Sequence, residues 1–336
     1  MTELAARGPY SRAVLAALAR PPGSAVRLPR SPVADPLGDD DLQLALYLCY
    51  ELHYRGLTGV DDGWEWDPGL LAFRAGLERR FLTAVRERVG PPGPAVAPPD
   101  MDLALREVAD ADDAPSVSRH LERHGTVAQL REFLVHRSAY QLKEADPHSW
   151  ALPRLHGPPK AAMVEIQADE YGGGRADRIH ARLFADAMEA VGLDARYGAY
   201  LDVIPGVTLA TVNLMSLFGL HRRWRGAIVG HLALFEMTSS VPNRRYANAA
   251  RRLGFIQRAA TDFFDEHVAA DAVHEAIAAV DLAGGLARQE PALSADIVWG
   301  ARALVALEGA WSAHLLDAWR EGASSLRALS SLSTAA

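Results

Sequence analysis

The chain has a single cysteine, Cys49, set within the apolar run LALYLCYEL. One thiol cannot close an internal disulfide, and it excludes zinc or iron–sulfur sites built from several thiolates. No apolar stretch runs the roughly 18 residues of a membrane span before a charge interrupts it. The opening MTELAARGPYSR has no apolar segment of signal-peptide length, so a cytoplasmic location is the expectation. Concentrated positive charge is missing too. The net charge is −7, and the basic residues are interleaved with acids, as in RRFLTAVRERV. The densest basic run, HRRWR at 221–225, is short, so neither nucleic acid nor a membrane is an expected partner. Alternation of apolar and polar residues never persists beyond a few positions, and no internal repeat is visible.

What is present is helical periodicity, and the fold class it predicts is all-α. Asp39-Asp40-Asp41 offers an N-cap to DLQLALYLCYELHYR, and further helices are expected over 10–20 and in LLAFRAGLERRFLTAVRERV. GPPGPAVAPPD at 90–100 reads as a linker. Beyond it the pattern predicts helices over 102–110, 116–124, 127–145, 160–171, 175–192, 205–220, 225–238, 243–283 with a break, and 291–321. The expected organisation is an N-terminal helical extension with its linker over 1–100, a bundle over 101–325, and a flexible tail over 326–336 in a Ser/Ala-rich end that frays from Gly322.

The most informative segment is His267-x-x-x-Asp271-x-x-His274, inside a stretch without Gly or Pro. At about 100° per residue, steps of four and seven place the second and third side chains within roughly 40° of the first. Two imidazoles and a carboxylate on one stripe suit iron, manganese or zinc better than calcium. A two-metal centre needs donors from other helices. Glu170 and His180 are ten residues apart; on an unbroken helix they would be about 15 Å apart and roughly 80° out of register. Gly172-Gly173-Gly174 between them is a strong helix breaker and would let a second helix return His180 to Glu170. A third contributor is Glu144, placed at the end of an apolar helix before Pro147.

This order, Glu144, then Glu170-Tyr-Gly 26 residues on, His180 ten further, and the distant His267/Asp271/His274 triplet, resembles the haem-oxygenase-like di-iron oxidases and oxygenases. The likeness is greatest to their actinobacterial branch of iron-containing redox enzymes, and it covers roughly residues 120–280. It implies a haem-oxygenase-like helical bundle with additional N-terminal helices. It further implies metal ligation and catalysis at Glu144, Glu170, His180, His267, Asp271 and His274. The implied cofactor is two non-haem iron ions, with manganese as the alternative. The implied chemistry is reduction of O2 to a bridging peroxide, followed by desaturation, C–C cleavage or N-oxygenation of a small substrate. Amino acids and fatty acids, often in natural-product biosynthesis, are the implied substrates, with an amino-acid-like molecule favoured; a homodimer is left open. Three carboxylates offset three of the four charges of a diferrous pair, leaving room for O2. Ferritin-like centres use Glu-x-x-His, which does not occur in this chain. The rival reading is a non-catalytic haem-oxygenase-like binding or regulatory protein.

Other polar residues have simpler expected roles. His120 and His124 read as surface residues, and His136 as an i,i+4 polar partner of Glu132, with a metal pair as the alternative. His53, His221, His231 and His314 have no cluster, whereas His148 and His156 flank the loop after Glu144 and are weaker candidates for facing the pocket. Glu165 and Asp169, beside Glu170, read either as supports of the ligands or as solvated residues, with exposure favoured. Glu236, an acid in an apolar helix, is balanced between a hydrogen-bonded core carboxylate and a role in substrate recognition or proton transfer. Arg137, Arg182 and Arg244 are either carboxylate-binding or surface residues, and Phe184, Phe263 and Phe264 read most simply as core, with the lining of a substrate pocket as the alternative.

Overall fold

The computed structural model describes residues 4–328, apart from the side chains of residues 271–273. Helices start where the chain supplies a cap. Asp41 secures α1 (Pro9–Leu18) by accepting from the backbone N–H groups of Tyr10 and Ser11, each at 2.7 Å. Asp39 caps α2 (Asp40–Glu51), accepting from the Leu42 N–H at 2.7 Å, as the acidic triplet predicts. Asp67 caps α3 (Pro68–Val89), whose first residue is a proline that has no N–H to leave unpaired. After the proline-rich crossing come α4 (Met101–Asp110) and α5 (Val117–Arg123). A reciprocal Thr126–Gln129 capping box then opens α6 (Val127–Gln141).

The next helices differ from the sequence expectation at their ends. The expected helix to 145 stops at Gln141, and Glu144 lies in the turn that follows. Pro147 accounts for this, because in a continuous helix its ring would collide with the carbonyl four residues back. Ala145 turns into the left-handed region (φ 72°), and the short α7 (Asp146–Ser149) restarts the chain. Then follow α8 (Gly157–Glu170) and α9 (His180–Ala190), the latter beginning at 180 where the periodicity predicts 175. The remaining elements are α10 (Gly206–Leu220), α11 (Arg225–Thr238), α12 (Ser240–Arg252), α13 (Asp262–Ala276), a π-helical stretch (Ile277–Gly284), α14 (Gly285–Gln289) and α15 (Ser294–Arg320). Among the described residues there is no strand, and no helix is long and apolar enough to cross a membrane.

Two apolar clusters organise these helices. The larger joins α1, α2 and α3 to α10, α11 and α15, so buried side chains on both sides of the proline-rich crossing share one core. Helices α2 and α10 are buried nearly all round, as the weak polar faces of their sequences require. Helices α11 and α15 meet backbone to backbone. A Cβ on Gly230 would sit 1.8 Å from the Ile297 carbonyl oxygen, and one on Gly300 would sit 2.1 Å from that of Ala227. The smaller cluster lies among α5, α6, α9, α12, α13 and the end of α15, including Phe133, Phe184, Phe263, Phe264 and Trp311. Residues 322–328 dock onto the bundle and do not fray: the buried Ser325 Oγ bonds His136 Nε2 at 2.9 Å, and Arg327 pairs with Asp40. The rest of the expected tail, 329–336, lies outside the described residues.

Candidate metal centre

Helix α8 ends on Glu170 and α9 begins on His180, and the three glycines between them make the return. All three have positive φ, 68°, 59° and 82°. At Gly172 a Cβ would also strike the backbone of Arg178 and Ile179, at 2.6 and 2.7 Å, so a side chain is excluded there by both torsion and space. The reversal brings Glu170 Oε2 to 2.9 Å from His180 Nδ1.

Helix α13 approaches from the opposite side. The Nδ1–H of His267 donates to the Phe263 carbonyl at 2.8 Å, which fixes the tautomer and directs Nε2 towards Glu144 Oε1 at 3.6 Å. The turn carrying Glu144 is anchored by its neighbour. Lys143 is fully buried, bonds Glu51 Oε2 at 2.7 Å and lies over the rings of Tyr47 and Tyr54, while Tyr197 donates to Glu51 Oε1 at 2.6 Å. The pair spans α2 and the Glu144 turn, and breaking a buried pair of this kind typically costs about 3–5 kcal/mol.

Glu144, Glu170, His180 and His267 each offer a ligand atom within 4.8 Å of the others, and all four are buried. Glu170, Glu236 and His274 form a second group by the same measure, so Glu170 is common to both. His274 Nδ1 is 3.2 Å from Glu236 Oε2 and its Nε2 is 3.0 Å from Asp169 Oδ2. Five of the six expected residues therefore fall in two overlapping groups. The sixth, Asp271, has its side chain outside the described residues.

Glu236 and Asp169 were not in the expected set. Glu236 had a visible signal, being the sole acid of α11, but its approach to His274 depends on how α11 packs. Asp169 had only its place beside Glu170 to mark it, and its side chain is 61% exposed although Oδ2 reaches His274. His148 does line the pocket and bonds His231 at 3.1 Å; burial lowers both imidazoles, His148 to about 4. Elsewhere the simple readings change in detail. His136 bonds Thr208 and Ser325 and reaches Glu132 only through Ser325. His53 meets Glu65 and Arg74, His221 meets Glu78, His156 meets Gln289 at the surface, and His314 meets the Ser325 carbonyl.

The donor set fits a cation of the iron, manganese or zinc type. Glu144 Oε2, Glu170 Oε2 and His180 Nδ1 are buried and make no hydrogen bond, although the last two are only 2.9 Å apart. Buried polar atoms rarely stay unpaired, and atoms facing one another off the hydrogen-bonding direction suit a shared ion between them. Electrostatics agree. Burial would raise the Glu170 carboxyl, but the fields of His180, His267 and His274 hold it at about 2. Burial would likewise lower His274, yet its bonds to Glu236 and Asp169 raise it to about 9.

The His274 proton has a measurable consequence. A raised imidazole stabilises the metal-free fold fully below the ordinary histidine value of about 6.5, and that contribution disappears as pH rises through about 9. An ion bound by His274 must displace the proton. Titration of metal-free protein with Mn(II) at pH 7 is therefore expected to release acid, and apparent affinity should rise up to about tenfold per pH unit towards pH 9. Binding that is pH-independent across this range, with no proton release, would remove His274 from the centre.

A second cavity, of about 270 Å³, adjoins the metal pocket and shares Gln141, Phe235, Ser239, Asn243 and Phe263 with it. Phe133, Phe184, Phe264, Tyr246 and Trp311 supply aromatic walls. In the same wall Arg137 makes a two-pronged contact with Glu308, at 3.0 and 2.7 Å, and lies 3.8 Å over the Trp311 ring. Burial disfavours the Arg137 charge, but Glu308 outweighs it and keeps the guanidinium charged. Arg182, by contrast, pairs with Asp186 on α9.

The model of a protein family described as iron-containing redox enzymes matches residues 131–309, more than half of the chain and a span that includes both donor groups. No curated protein matches the chain.

Proposed function

The chain belongs to the iron-containing redox enzyme family, whose fold is the all-α haem-oxygenase-like bundle, and from that premise we propose a non-haem di-iron oxidoreductase that uses O2 to oxidise a small amino-acid-like molecule. The observation that carries the proposal is the buried meeting of Glu144, Glu170, His180 and His267, with unbonded donor atoms, beside an aromatic cavity. Ferrous ions held by Glu144, Glu170, His180 and His267, and by Glu170, Glu236 and His274, would supply the electrons for O2 reduction. The chain's own contribution is placement and exclusion of water. His267 is oriented by the Phe263 carbonyl, and Phe235 and Phe263 stand between the metal pocket and the cavity.

Charge balance favours an amino acid over a fatty acid. Arg137 is already neutralised by Glu308, so an added carboxylate alone would leave a net charge beside the cavity's aromatic wall. A zwitterion shares both partners and leaves the cavity neutral. Its size also fits, since about 270 Å³ is at the small end of ligand pockets. Arg137 lies one turn before Gln141, which lines both the cavity and the metal pocket, so a head group held at Arg137 would leave the side chain to extend towards the metal pocket.

The test is O2 uptake by anaerobically iron-loaded protein, with amino acids and fatty acids compared as stimulants. Stimulation by bulky apolar amino acids is expected; silence with both classes would favour a non-catalytic binder. For a substrate found this way, the double variant Arg137→Met/Glu308→Met should raise KM about 10–100-fold with kcat changed little, because the head-group contacts are the same before and during the reaction. Iron content should not change.

A further inference from the structure

Gln141 closes α6 where the aromatic cavity meets the metal pocket, and it lines both. Its Oε1 is buried and accepts no hydrogen bond. Buried amide oxygens are normally paired, so one left open on a cavity wall is matched to a donor that the cavity receives. Aromatic rings make up much of that wall. Phe133 stacks on Tyr246 with ring centres 4.2 Å apart, and Phe263 meets Phe184 and Phe264 edge-on at 5.0 and 5.2 Å. Walls of this kind favour a ring, which can add further stacked and edge-to-face contacts. Arg137 is four residues earlier on the same helix face, about 6 Å along the axis. A side chain that starts from a head group at Arg137 therefore meets the Gln141 oxygen near the far edge of a ring, beyond the reach of a short aliphatic branch.

We propose that Gln141 selects the side chain of the substrate by accepting from an N–H or O–H carried on an aromatic ring, so that the substrate class is the indolyl or hydroxyphenyl amino acids. The proposal rests on the amino-acid reading above and narrows it. Apolar walls by themselves discriminate weakly between rings that differ by one polar atom. A site with a committed acceptor discriminates strongly, because a ring without the donor leaves that acceptor stranded. The same oxygen opposes a ring edge that only accepts, since two lone pairs would then face each other. Gln141 also fixes the orientation: the donor-bearing edge of the ring is the part presented to the metal pocket.

The test is calorimetric binding to iron-loaded protein kept free of O2, so that nothing turns over. The probes are L-tryptophan, L-tyrosine, L-phenylalanine and L-leucine, with 1-methyltryptophan and O-methyltyrosine as rings that have lost the donor. Tryptophan or tyrosine is expected to bind about 10–100-fold more tightly than phenylalanine, and its methylated analogue to lose that advantage. Whichever of the two leads identifies the ring. Gln141→Leu should bring the leading ligand down to the phenylalanine level and leave phenylalanine unchanged, which also reports a folded cavity. In that variant the methylated analogue should bind at least as well as its parent, which separates a lost hydrogen bond from a steric clash. If phenylalanine or leucine binds wild type as tightly as both donor-bearing rings, the selection by Gln141 is overturned, whatever the variant does. If Gln141→Leu weakens every ligand equally, the residue is structural and the assignment is overturned too. Binding of amino acids in the wrong order leaves the amino-acid reading standing. Binding of none of the six, with O2 uptake stimulated only by fatty acids, is the failure of that reading itself.

Discussion

Glu170→Gln is expected to abolish substrate-linked O2 uptake and to empty both metal positions, because its carboxyl is the donor common to the two groups. Loss of a supporting contact to a ligand commonly costs 10–100-fold in affinity or activity, so loss of the shared ligand should exceed about 100-fold. The metal-free protein should suffer as well. Glu170 is held at about 2 in the fold, well below an ordinary glutamate, so its charged form is favoured by folding. That contribution is present above the unfolded-state value near 4.3 and is lost as pH falls through about 2. Removing the charge at neutral pH takes from His180 its nearest carboxylate, at 2.9 Å, at a cost on the order of 3 kcal/mol, while His274 keeps Glu236 and Asp169. The two losses are measured separately, by metal analysis of the loaded protein and by thermal unfolding of the metal-free one. Full metal content in Glu170→Gln would take the residue out of the centre.

Gly230→Ala should be the most damaging single methyl group in the chain, since its Cβ would lie 1.8 Å from the Ile297 carbonyl oxygen. Backbone cannot yield as a side-chain tip can, so α11 and α15 must separate. Overpacking of this kind costs about 1–3 kcal/mol and occasionally more, and the upper end is expected here. In thermal unfolding that corresponds to a fall in Tm of roughly 5–10 °C. The same displacement moves Glu236, six residues along α11, so metal affinity should fall although no donor atom has changed. An unchanged Tm would mean that the two helices cross with more clearance than the structure has.

The features of the site that could be read in the sequence are those written in local rules. The glycine triplet forces a break wherever it stands, and helical spacing puts His267 and His274 on one stripe; both hold in the fold. The end of α6 at Gln141 was missed because the apolar pattern continues past the point where Pro147 makes the helix impossible. Glu236 and Asp169 were harder to read for a different reason. Nothing within a turn of either residue refers to His274, and their meeting there is a product of how α8, α11 and α13 assemble. Ser325 is a similar case: it sits among small polar residues that resemble a loose end, yet His136, nearly two hundred residues earlier, receives it.

Helix α2 buries almost every side chain, and its neighbour α10 begins some 160 residues later in the chain. During synthesis at about 5–20 residues per second, that interval is roughly 8–30 s in which a greasy helix has emerged from the ribosome before its mate exists. Contacts so distant in sequence also close slowly once both ends are available. The nascent polypeptide is thus expected to need shielding by a chaperone, and a version cut at the proline-rich crossing should yield two insoluble fragments, neither able to fold without the other.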